Sequence, residues 1–432
     1  MSFRSKVWVM GLSGVIALYA VVGGLPFVGG LLTTSAQQPV NDATAQMRIV
    51  DSVLQHIQND YVDEPNMDKV RLGALRGLAG GLDPYSSFLT ADQVKAYEAS
   101  KNSGKVGIGG EYSQYAGYLY VVSPVKGSAA EKAGIKAGDV IEYIDNKATR
   151  DVSLYDARQL LQGDAGSTVS LRVLRAGEKP QTIKVVRGKS AIPPTEGRIE
   201  NGRIGVVKVY SLEEGESTDI KNQIQSLQKQ GAQKIVLDLR GVAAGSLQEG
   251  VAVANLFIKD GDLAKVVGQG NKVTQTFTAD PAKAVFDGQL AVLTDTGTAG
   301  AAEAVAAAVA DRKRGEVIGE KSFGSGTEQK LFTLKSGEGL LLTVAKWASP
   351  SGTPFLGEDR ATTGVKPTIE VKRPDTPEPI DPDSIEDENS NPNPQATPTP
   401  KPQPKTLEDV QLKKALEVLG GNEKAVGAKA GE

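Results

Sequence analysis

The chain has 432 residues, of which 39% are hydrophobic, and its formal net charge at pH 7 is −3. This length predicts two or three domains and is sufficient for a large buried core. The small net charge and the aromatic content of 5% give no indication of nucleic-acid binding. The absence of cysteine excludes disulfides, thiol catalysis and thiolate metal sites, and no cofactor is expected.

A single histidine, His56, limits the hydrolytic mechanisms available to the chain. A serine–histidine–aspartate triad would have to use it, and a zinc site of the usual histidine and cysteine type lacks ligands. His56 lies off the apolar stripe of a predicted amphipathic helix, which indicates a position on the helix surface. The stripe consists of Met47, Val50, Leu54, Ile57 and Tyr61. We therefore expect any hydrolytic mechanism to work without histidine.

The first 36 residues predict a signal peptide or a membrane anchor. Arg4 and Lys6 precede an uncharged, largely apolar run over residues 7–32, which is long enough to span a bilayer. Small residues at the end of the segment also allow cleavage after Ala36. Positive charge before the run predicts export of the remaining chain. We expect a periplasmic or extracytoplasmic location in the cell envelope, either membrane-anchored or secreted.

Two units are predicted before the largest domain. Residues 41–99 form a helical N-terminal domain, since apolar residues recur there at helical spacing. Within it, residues 82–89 form a turn that leads into another short helix. Residues 104–188 form a β-rich α+β unit, in which a glycine-rich loop enters a strand and a capping box at Ser153 opens a helix.

The second half of the chain changes character twice. Residues 200–372 alternate strands and helices, which indicates an α/β layer with parallel strand pairing, and an alanine-rich helix is expected over residues 300–313. Residues 373–405 are rich in proline, aspartate, asparagine and threonine, a composition that predicts a disordered linker. Residues 406–432 contain one amphipathic helix whose role the pattern does not reveal.

Four ordered segments resemble the carboxyl-terminal processing (tail-specific) serine peptidases, a family that carries a PDZ domain. They are LDPYSSFL at 82–89, AGIKAGDVI at 133–141, GEKSFG at 319–324 and GVKP at 364–367. Tyr85 stands where histidine is common in that family. The resemblance implies an α/β multidomain fold: N-terminal helices, a PDZ domain, and an α/β peptidase core of the crotonase-like type. It also implies a homodimer formed through the N-terminal helices.

The resemblance identifies the unit at 104–188 as a PDZ domain that binds polypeptide C-termini. In such domains, backbone N–H groups of a glycine-rich loop converge on the terminal carboxylate, and the peptide pairs with the following strand. The alternative is that these glycines only form a tight turn. Gly110 stands where the family usually has an apolar residue, which could open or weaken the pocket. The expected peptide-binding residues are Gly107, Ile108, Gly109, Gly110, Leu154, Ala157 and Leu161.

The family cleaves with a serine nucleophile and a lysine base, often with a glutamine that orients the lysine. By resemblance, the serine position is Gly300, within the stretch GTAGAAE at 297–303, and the lysine position is Ser325. Gln329 retains the glutamine. A glycine supplies no nucleophile, and a serine hydroxyl accepts no proton near neutral pH. The sequence therefore predicts that both catalytic functions are absent.

Two residues near these positions are candidate substitutes for the missing serine and lysine. Thr298 lies two residues from the serine position, and Lys321 lies four residues before the lysine position. Both are weak candidates, because a displacement of about 1 Å can reduce a rate roughly a hundredfold. In the oxyanion region, Ala244 and Gly245 can still donate backbone N–H groups.

Two functions follow from these observations. The first is an envelope pseudopeptidase that binds polypeptide C-termini or unfolded tails as a scaffold or regulator, with another protease as a candidate partner. The second is an active serine-type endopeptidase that cleaves near C-termini with a relocated nucleophile. Labelling with a fluorophosphonate or with a reagent for catalytic threonine would separate the two functions.

Asp238, Arg240 and Glu303 are interpreted as capping and ion-pairing residues.

Overall fold

The computed structural model describes residues 43–99, 104–115, 117–201, 203–359, 362–374 and 408–420. The boundary between its two compact units falls between Ala74 and Leu75. The predicted anchor at residues 1–36 and nearly all of the predicted linker at 373–405 lie outside the described residues. Within the described part, no helix combines the length and apolarity needed to cross a membrane.

Two helices open the described chain, as the apolar spacing predicts. Helix α1 spans Ala43–Asp60 and helix α2 spans Met67–Gly80. His56 is exposed on α1, with its Nδ1 2.7 Å from an Asp60 carboxylate oxygen, which confirms its position on the helix surface. The predicted stripe is poorly covered, because Met47 is 62% exposed.

The segment after α2 contains a strand that the sequence did not predict. Asp83 accepts hydrogen bonds from the backbone N–H groups of Tyr85 and Ser86 and forms the expected turn. Strand β1, Ser87–Leu89, follows it, and helix α3 spans Ala91–Ala99. The predicted short helix after this segment is confirmed, whereas β1 was not predicted, since three residues are too few to show a strand period.

The predicted PDZ unit is an antiparallel sheet with two helices. Its strands are β2 (Gly110–Tyr115), β3 (Tyr118–Pro124), β4 (Val140–Ile144), β5 (Lys147–Ala148), β6 (Thr168–Leu174) and β7 (Gln181–Val186). The spatial order is β2-β3-β4-β6-β7, with β5 on β4. Helix α4 spans Ala129–Lys132 and helix α5 spans Leu154–Leu161. Ser153 caps the start of α5 as predicted, because its Oγ accepts from the Asp156 N–H at 3.1 Å.

The core contains a six-stranded sheet with the parallel pairing that the alternating pattern predicts. Its strands are β8 (Glu196–Glu200), β9 (Ile204–Lys208), β10 (Lys234–Asp238), β13 (Gln289–Thr294), β14 (Glu316–Gly319) and β17 (Ile369–Glu370). The order is β17-β14-β13-β10-β9-β8, and only the β8–β9 pair is antiparallel.

A second core sheet is antiparallel and joins distant parts of the chain. Besides β1 it contains β11 (Asp262–Val267), β12 (Val273–Thr278), β15 (Thr327–Thr333) and β16 (Gly339–Ala348). Strand β16 pairs with β1, β11 and β15. The core helices are α6 (Glu216–Lys229), α7 (Leu247–Asn255) and α8 (Ala301–Asp311). Helix α8 contacts strands of both sheets, and its buried alanines keep it narrow enough to fit between them.

The C-terminal helix α9, Val410–Gly420, covers one face of the parallel sheet. At its start, Asp409 accepts two hydrogen bonds of 2.8 Å from Arg240. At its end, the Leu419 carbonyl accepts from Lys234 Nζ at 2.7 Å. Leu419 packs in the same buried cluster as residues of β9, β10, β13 and β14. The role that the sequence left open is therefore to complete the core.

We expect Leu419→Ala to lower the free energy of unfolding by about 2–4 kcal/mol, because it removes a buried side chain from this cluster. Glu417→Ala is the matched control on the exposed side of α9 and should change it by less than about 0.5 kcal/mol. Urea unfolding followed by circular dichroism measures both. Equal effects of the two variants would show that α9 contributes nothing through packing.

Candidate functional site

Gly300 lies at a sharp turn between β13 and α8. Its backbone angles are φ 57° and ψ −112°, in the positive-φ region that glycine adopts without strain. A strained turn from strand to helix is also how α/β hydrolases present a nucleophile. A Cβ added at Gly300 would lie 3.5 Å from Ser325 Oγ and 3.6 Å from a ring atom of Trp347, which are ordinary contact distances. A side chain at position 300 would therefore begin within contact distance of the Ser325 side chain.

The three positions identified by resemblance line one cavity. Gly300, Ser325 and Gln329 border a space of about 160 Å³, together with Gly245 of the oxyanion region. The PDZ unit contributes to the same wall, including Arg158 of α5. Spacing along the chain therefore predicted residues that do come together in space.

Glu303, in the first turn of α8, holds positions 300 and 325 together. Its buried carboxylate accepts from the backbone N–H of Gly300 at 2.8 Å, of Gly324 at 2.7 Å and of Ser325 at 2.8 Å. The Ser322 hydroxyl donates a fourth hydrogen bond. Burial raises the pKa of the Glu303 carboxyl to about 7, although these four hydrogen bonds lower it. The capping role predicted for Glu303 is confirmed.

Gln329 is held without a lysine beside it. Its Nε2 donates to Thr327 Oγ1 at 2.6 Å and lies 3.3 Å from Thr343 Oγ1. The Thr343 hydroxyl in turn donates to Asp83 at 3.0 Å. The retained glutamine is therefore tied through β16 to the motif at 82–89, and its position does not depend on a catalytic base.

The two candidate substitutes, Thr298 and Lys321, do not belong to the described lining of the cavity. Thr298 is fully buried, and its hydroxyl lies 3.1 Å from both the Leu239 carbonyl and an Asp295 carboxylate oxygen. It also accepts from the Asp295 N–H at 3.0 Å, so it serves the turn. Lys321 is half-buried. Among the described residues, neither of the two lines the cavity.

Of the two residues of the predicted oxyanion region, Gly245 lines the cavity. The carbonyl of the other, Ala244, accepts from the backbone N–H of Leu212 at 2.9 Å.

The charged residues near this region form the predicted ion pairs. Burial would raise the pKa of the Asp238 carboxyl, but Lys208 and Arg240 hold it at about 2. Asp238 is therefore an anchor for Arg240, and it does not act as an acid or base near neutral pH.

Four of the predicted peptide-binding residues are buried in the core of the PDZ unit. Ile108, Leu154, Ala157 and Leu161 are each at most 2% exposed and belong to the PDZ core. The glycine at position 110 does not open a pocket, because a Cβ there would lie 2.6 Å from the Tyr112 hydroxyl oxygen. Of the loop glycines, Gly107 accepts from the Gly188 N–H and Gly109 accepts from the Val125 N–H.

Sequence reasoning did not identify Tyr112, Arg158 or Trp347, which also line the cavity. Tyr112 and Arg158 belong to elements that the sequence predicts, and Trp347 lies in β16. Nothing in the spacing distinguishes these cavity residues from ordinary core or surface residues. The approach of the PDZ unit to the core, which brings Arg158 to the cavity, depends on tertiary packing alone.

Comparison with known proteins agrees with this arrangement. Peptidase family S41 matches residues 203–371, and the PDZ domain matches residues 120–175. The carboxy-terminal processing protease CtpA of Bacillus subtilis (strain 168) is 30% identical over 350 residues, which cover 81% of this chain and 74% of that protein. This chain belongs to the carboxyl-terminal processing peptidase family.

Two further relatives support this family membership. A probable CtpA-like serine protease of Staphylococcus aureus (strain MRSA252) is 31% identical over 332 residues, which cover 76% of this chain and 66% of that protein. Among solved structures, the photosystem II D1 C-terminal processing protease matches with a TM-score of 0.62 at 27% identity. That match covers 76% of this chain and 93% of the other. The α/β multidomain fold expected from the resemblance is confirmed.

The raised pKa of Glu303 predicts a pH dependence of stability in this family member. Between pH 4.5 and about 7, the folded protein holds a proton that the unfolded chain has released. The free energy of unfolding should therefore fall by roughly 3 kcal/mol as pH rises through this window, and stay level above it. Urea unfolding of the natural protein and of Glu303→Gln, which cannot titrate, measures the difference. If the natural protein instead gains stability relative to Glu303→Gln as pH rises through this window, the raised pKa is contradicted.

Proposed function

We propose that this protein is a proteolytically inactive member of its family that binds polypeptide C-termini as a scaffold or regulator. The observation that carries the proposal is the pairing of Gly300 with Ser325 across the cavity. A Cβ at position 300 would lie 3.5 Å from Ser325 Oγ, so the geometry for a serine–lysine pair is retained. Both reactive groups are replaced, by a hydrogen atom and by a hydroxyl.

The described cavity residues offer Ser325 no evident base. Arg158 stays protonated at any relevant pH, and the Gln329 amide accepts no proton. Burial raises the pKa of the Tyr85 hydroxyl to about 12, so it stays protonated near neutral pH. Burial raises the pKa of the Glu111 carboxyl, although Arg158, which binds it at 3.2 Å, opposes this shift. Activation of a serine needs an adjacent base, and the Glu111 carboxylate is already engaged by Arg158.

A second candidate function is an endopeptidase with a relocated nucleophile. One observation favours it: Ser325 places a hydroxyl in the cavity. Thr298 is a poorer nucleophile than Ser325, because its hydroxyl is buried and hydrogen-bonded. The inactive protein remains the better proposal, since it requires no unidentified base.

The remaining parts of the proposal concern location and partners. The charge pattern of residues 1–36 supports a protein of the cell envelope, periplasmic or extracytoplasmic, attached to the membrane or secreted. The PDZ domain supports the binding of polypeptide C-termini or unfolded tails, and another protease is a candidate partner. Exposed apolar residues on α1, among them Met47, Ile49 and Val53, support a homodimer through the N-terminal helices.

We expect the natural chain not to cleave an unfolded protein that ends in apolar residues. The double variant Gly300→Ser, Ser325→Lys should cleave it, because the pair would be restored in the retained geometry. Gly300→Ala, Ser325→Lys is the matched control: it introduces the same backbone strain of about 1–3 kcal/mol and the same lysine, without a nucleophile. Gel electrophoresis and mass spectrometry of the products provide the measurement.

Two outcomes would decide against the proposal. Cleavage by the repurified natural chain that disappears in Ser325→Ala would establish the second candidate function. Cleavage that disappears instead in Thr298→Ala or Lys321→Ala would place the active site outside the cavity. An inactive double variant that folds normally would show that more than the pair has been lost.

The dimer is tested by a charge introduced on the exposed face of α1. We expect Val53→Asp to shift the protein from dimer to monomer, because an unpaired carboxylate would be buried in the interface. Ser52→Asp, at the adjacent exposed position, carries the same charge and should leave the dimer intact. Size-exclusion chromatography with light scattering measures the mass. A natural chain that is monomeric at micromolar concentration would refute the dimer.

A further inference from the structure

Tyr112 is buried in the PDZ core in a way that is unusual for a tyrosine. It is 6% exposed and packs in the same cluster as Ile108, Leu154 and Leu161, the residues that would otherwise line the groove between β2 and α5. Its hydroxyl has no hydrogen-bond partner among the described residues. Buried tyrosines usually satisfy that hydroxyl, so this position is a poor one for the polar end of the side chain.

The backbone of β2 explains how Tyr112 reaches this position. The pairing of β2 with β3 shifts register between Glu111 and Tyr112, from Glu111↔Ser123 to Tyr112↔Val121. Such a bulge bends a strand and redirects a side chain. Here the buried ring lies on the side of the PDZ core, next to the inward face of α5.

Gly110 provides the space that the ring uses. A Cβ at Gly110 would lie 2.6 Å from the Tyr112 hydroxyl oxygen and 2.8 Å from its Cζ. Any larger residue at position 110 would therefore collide with the end of the ring. The small residue and the ring are complementary, so the groove is filled by the chain itself.

Arg158 contacts the strand with which a peptide would pair. Among the described strands, β2 lies at one edge of the PDZ sheet, and an added peptide would pair with this edge. Arg158 of α5 donates to the Tyr112 carbonyl at 3.1 Å and to a Glu111 carboxylate oxygen at 3.2 Å. The Tyr112 carbonyl is thus already engaged by the opposite wall.

We propose that Tyr112 is an internal plug of the PDZ groove, which must leave it before a polypeptide C-terminus ending in an apolar residue can bind. The inference rests on the proposed function, because it assumes that the groove takes polypeptide C-termini. The apolar lining and the aromatic ring that now fills it define the chemistry of the ligand: an apolar last side chain with a free carboxylate. The unsatisfied hydroxyl keeps the plugged state weak enough to be displaced.

The test measures binding of a short fluorescent peptide that ends in Ala-Ala-Leu, with a free or an amidated C-terminus, to the full chain in mild detergent. Only protein molecules in which the groove is open can bind the peptide, so a plug lowers the apparent affinity in proportion to the open fraction. Tyr112→Ala should therefore bind the free-carboxylate peptide about tenfold more tightly than the natural chain. Tyr112→Phe keeps the ring and removes the unsatisfied hydroxyl, so it should bind the peptide more weakly than the natural chain and unfold at a higher temperature.

The outcomes separate this inference from the proposed function. Equal binding by the natural chain and by Tyr112→Ala would overturn the plug and leave the proposed function intact. No binding by either, with Tyr112→Ala folded as judged by circular dichroism, would overturn both.

A measurement on the natural chain covers the case in which Tyr112→Ala does not fold. Nitration by tetranitromethane, mapped by mass spectrometry, should modify Tyr112 only when the peptide is present at saturation. Tyr61, which is 60% exposed, should be modified in both conditions and serves as the internal control. Nitration of Tyr112 that is unchanged by bound peptide would overturn the plug.

Discussion

The geometry of the cavity depends on one buried carboxylate. Glu303 accepts three backbone N–H groups from Gly300, Gly324 and Ser325, and a hydroxyl from Ser322. These donors come from two segments that are more than twenty residues apart in the chain, so the carboxylate fixes the loop to the start of α8. Because burying a carboxylate without partners is strongly unfavourable, the loop and the helix must keep this arrangement for the fold to be stable.

The rest of the core places Glu303 where it can do this. Helix α8 lies in contact with strands of both core sheets, and alanine at most of its positions allows the close approach. On the parallel sheet, the C-terminal helix α9 completes the buried cluster through Ala415 and Leu419. The site is thus held by hydrogen bonds to backbone groups and by packing, and neither depends on a serine at 300 or a lysine at 325.

Much of this arrangement could be predicted from local pattern. The alternation at 200–372 predicted the parallel sheet, the alanine-rich stretch predicted α8, and Ser153 predicted the start of α5, because each feature depends on residues close in sequence. Strand β1 could not be predicted, since its three residues are stabilised only by pairing with β16. The pairing of the antiparallel sheet was also not predicted, because it joins segments that are far apart in the chain.

The candidate site shows the same division. Gly300, Ser325 and Gln329 were located because their spacing follows the family, and the structure brings them to one cavity. Tyr112 and Arg158 could not be found in this way, because their position depends on a bulge in β2 and on the approach of α5. Neither feature has a local sequence signal.

The proposed loss of the catalytic pair is consistent with the physical requirements of the fold. A serine at position 300 would sit at φ 57°, a conformation that costs about 1–3 kcal/mol for a residue with a side chain. An enzyme retains such strain because the turn presents its nucleophile. A protein that only binds gains stability by replacing the serine with glycine, while Glu303 keeps the turn in place. An intact turn with a glycine at its apex is therefore compatible with the proposed binding protein.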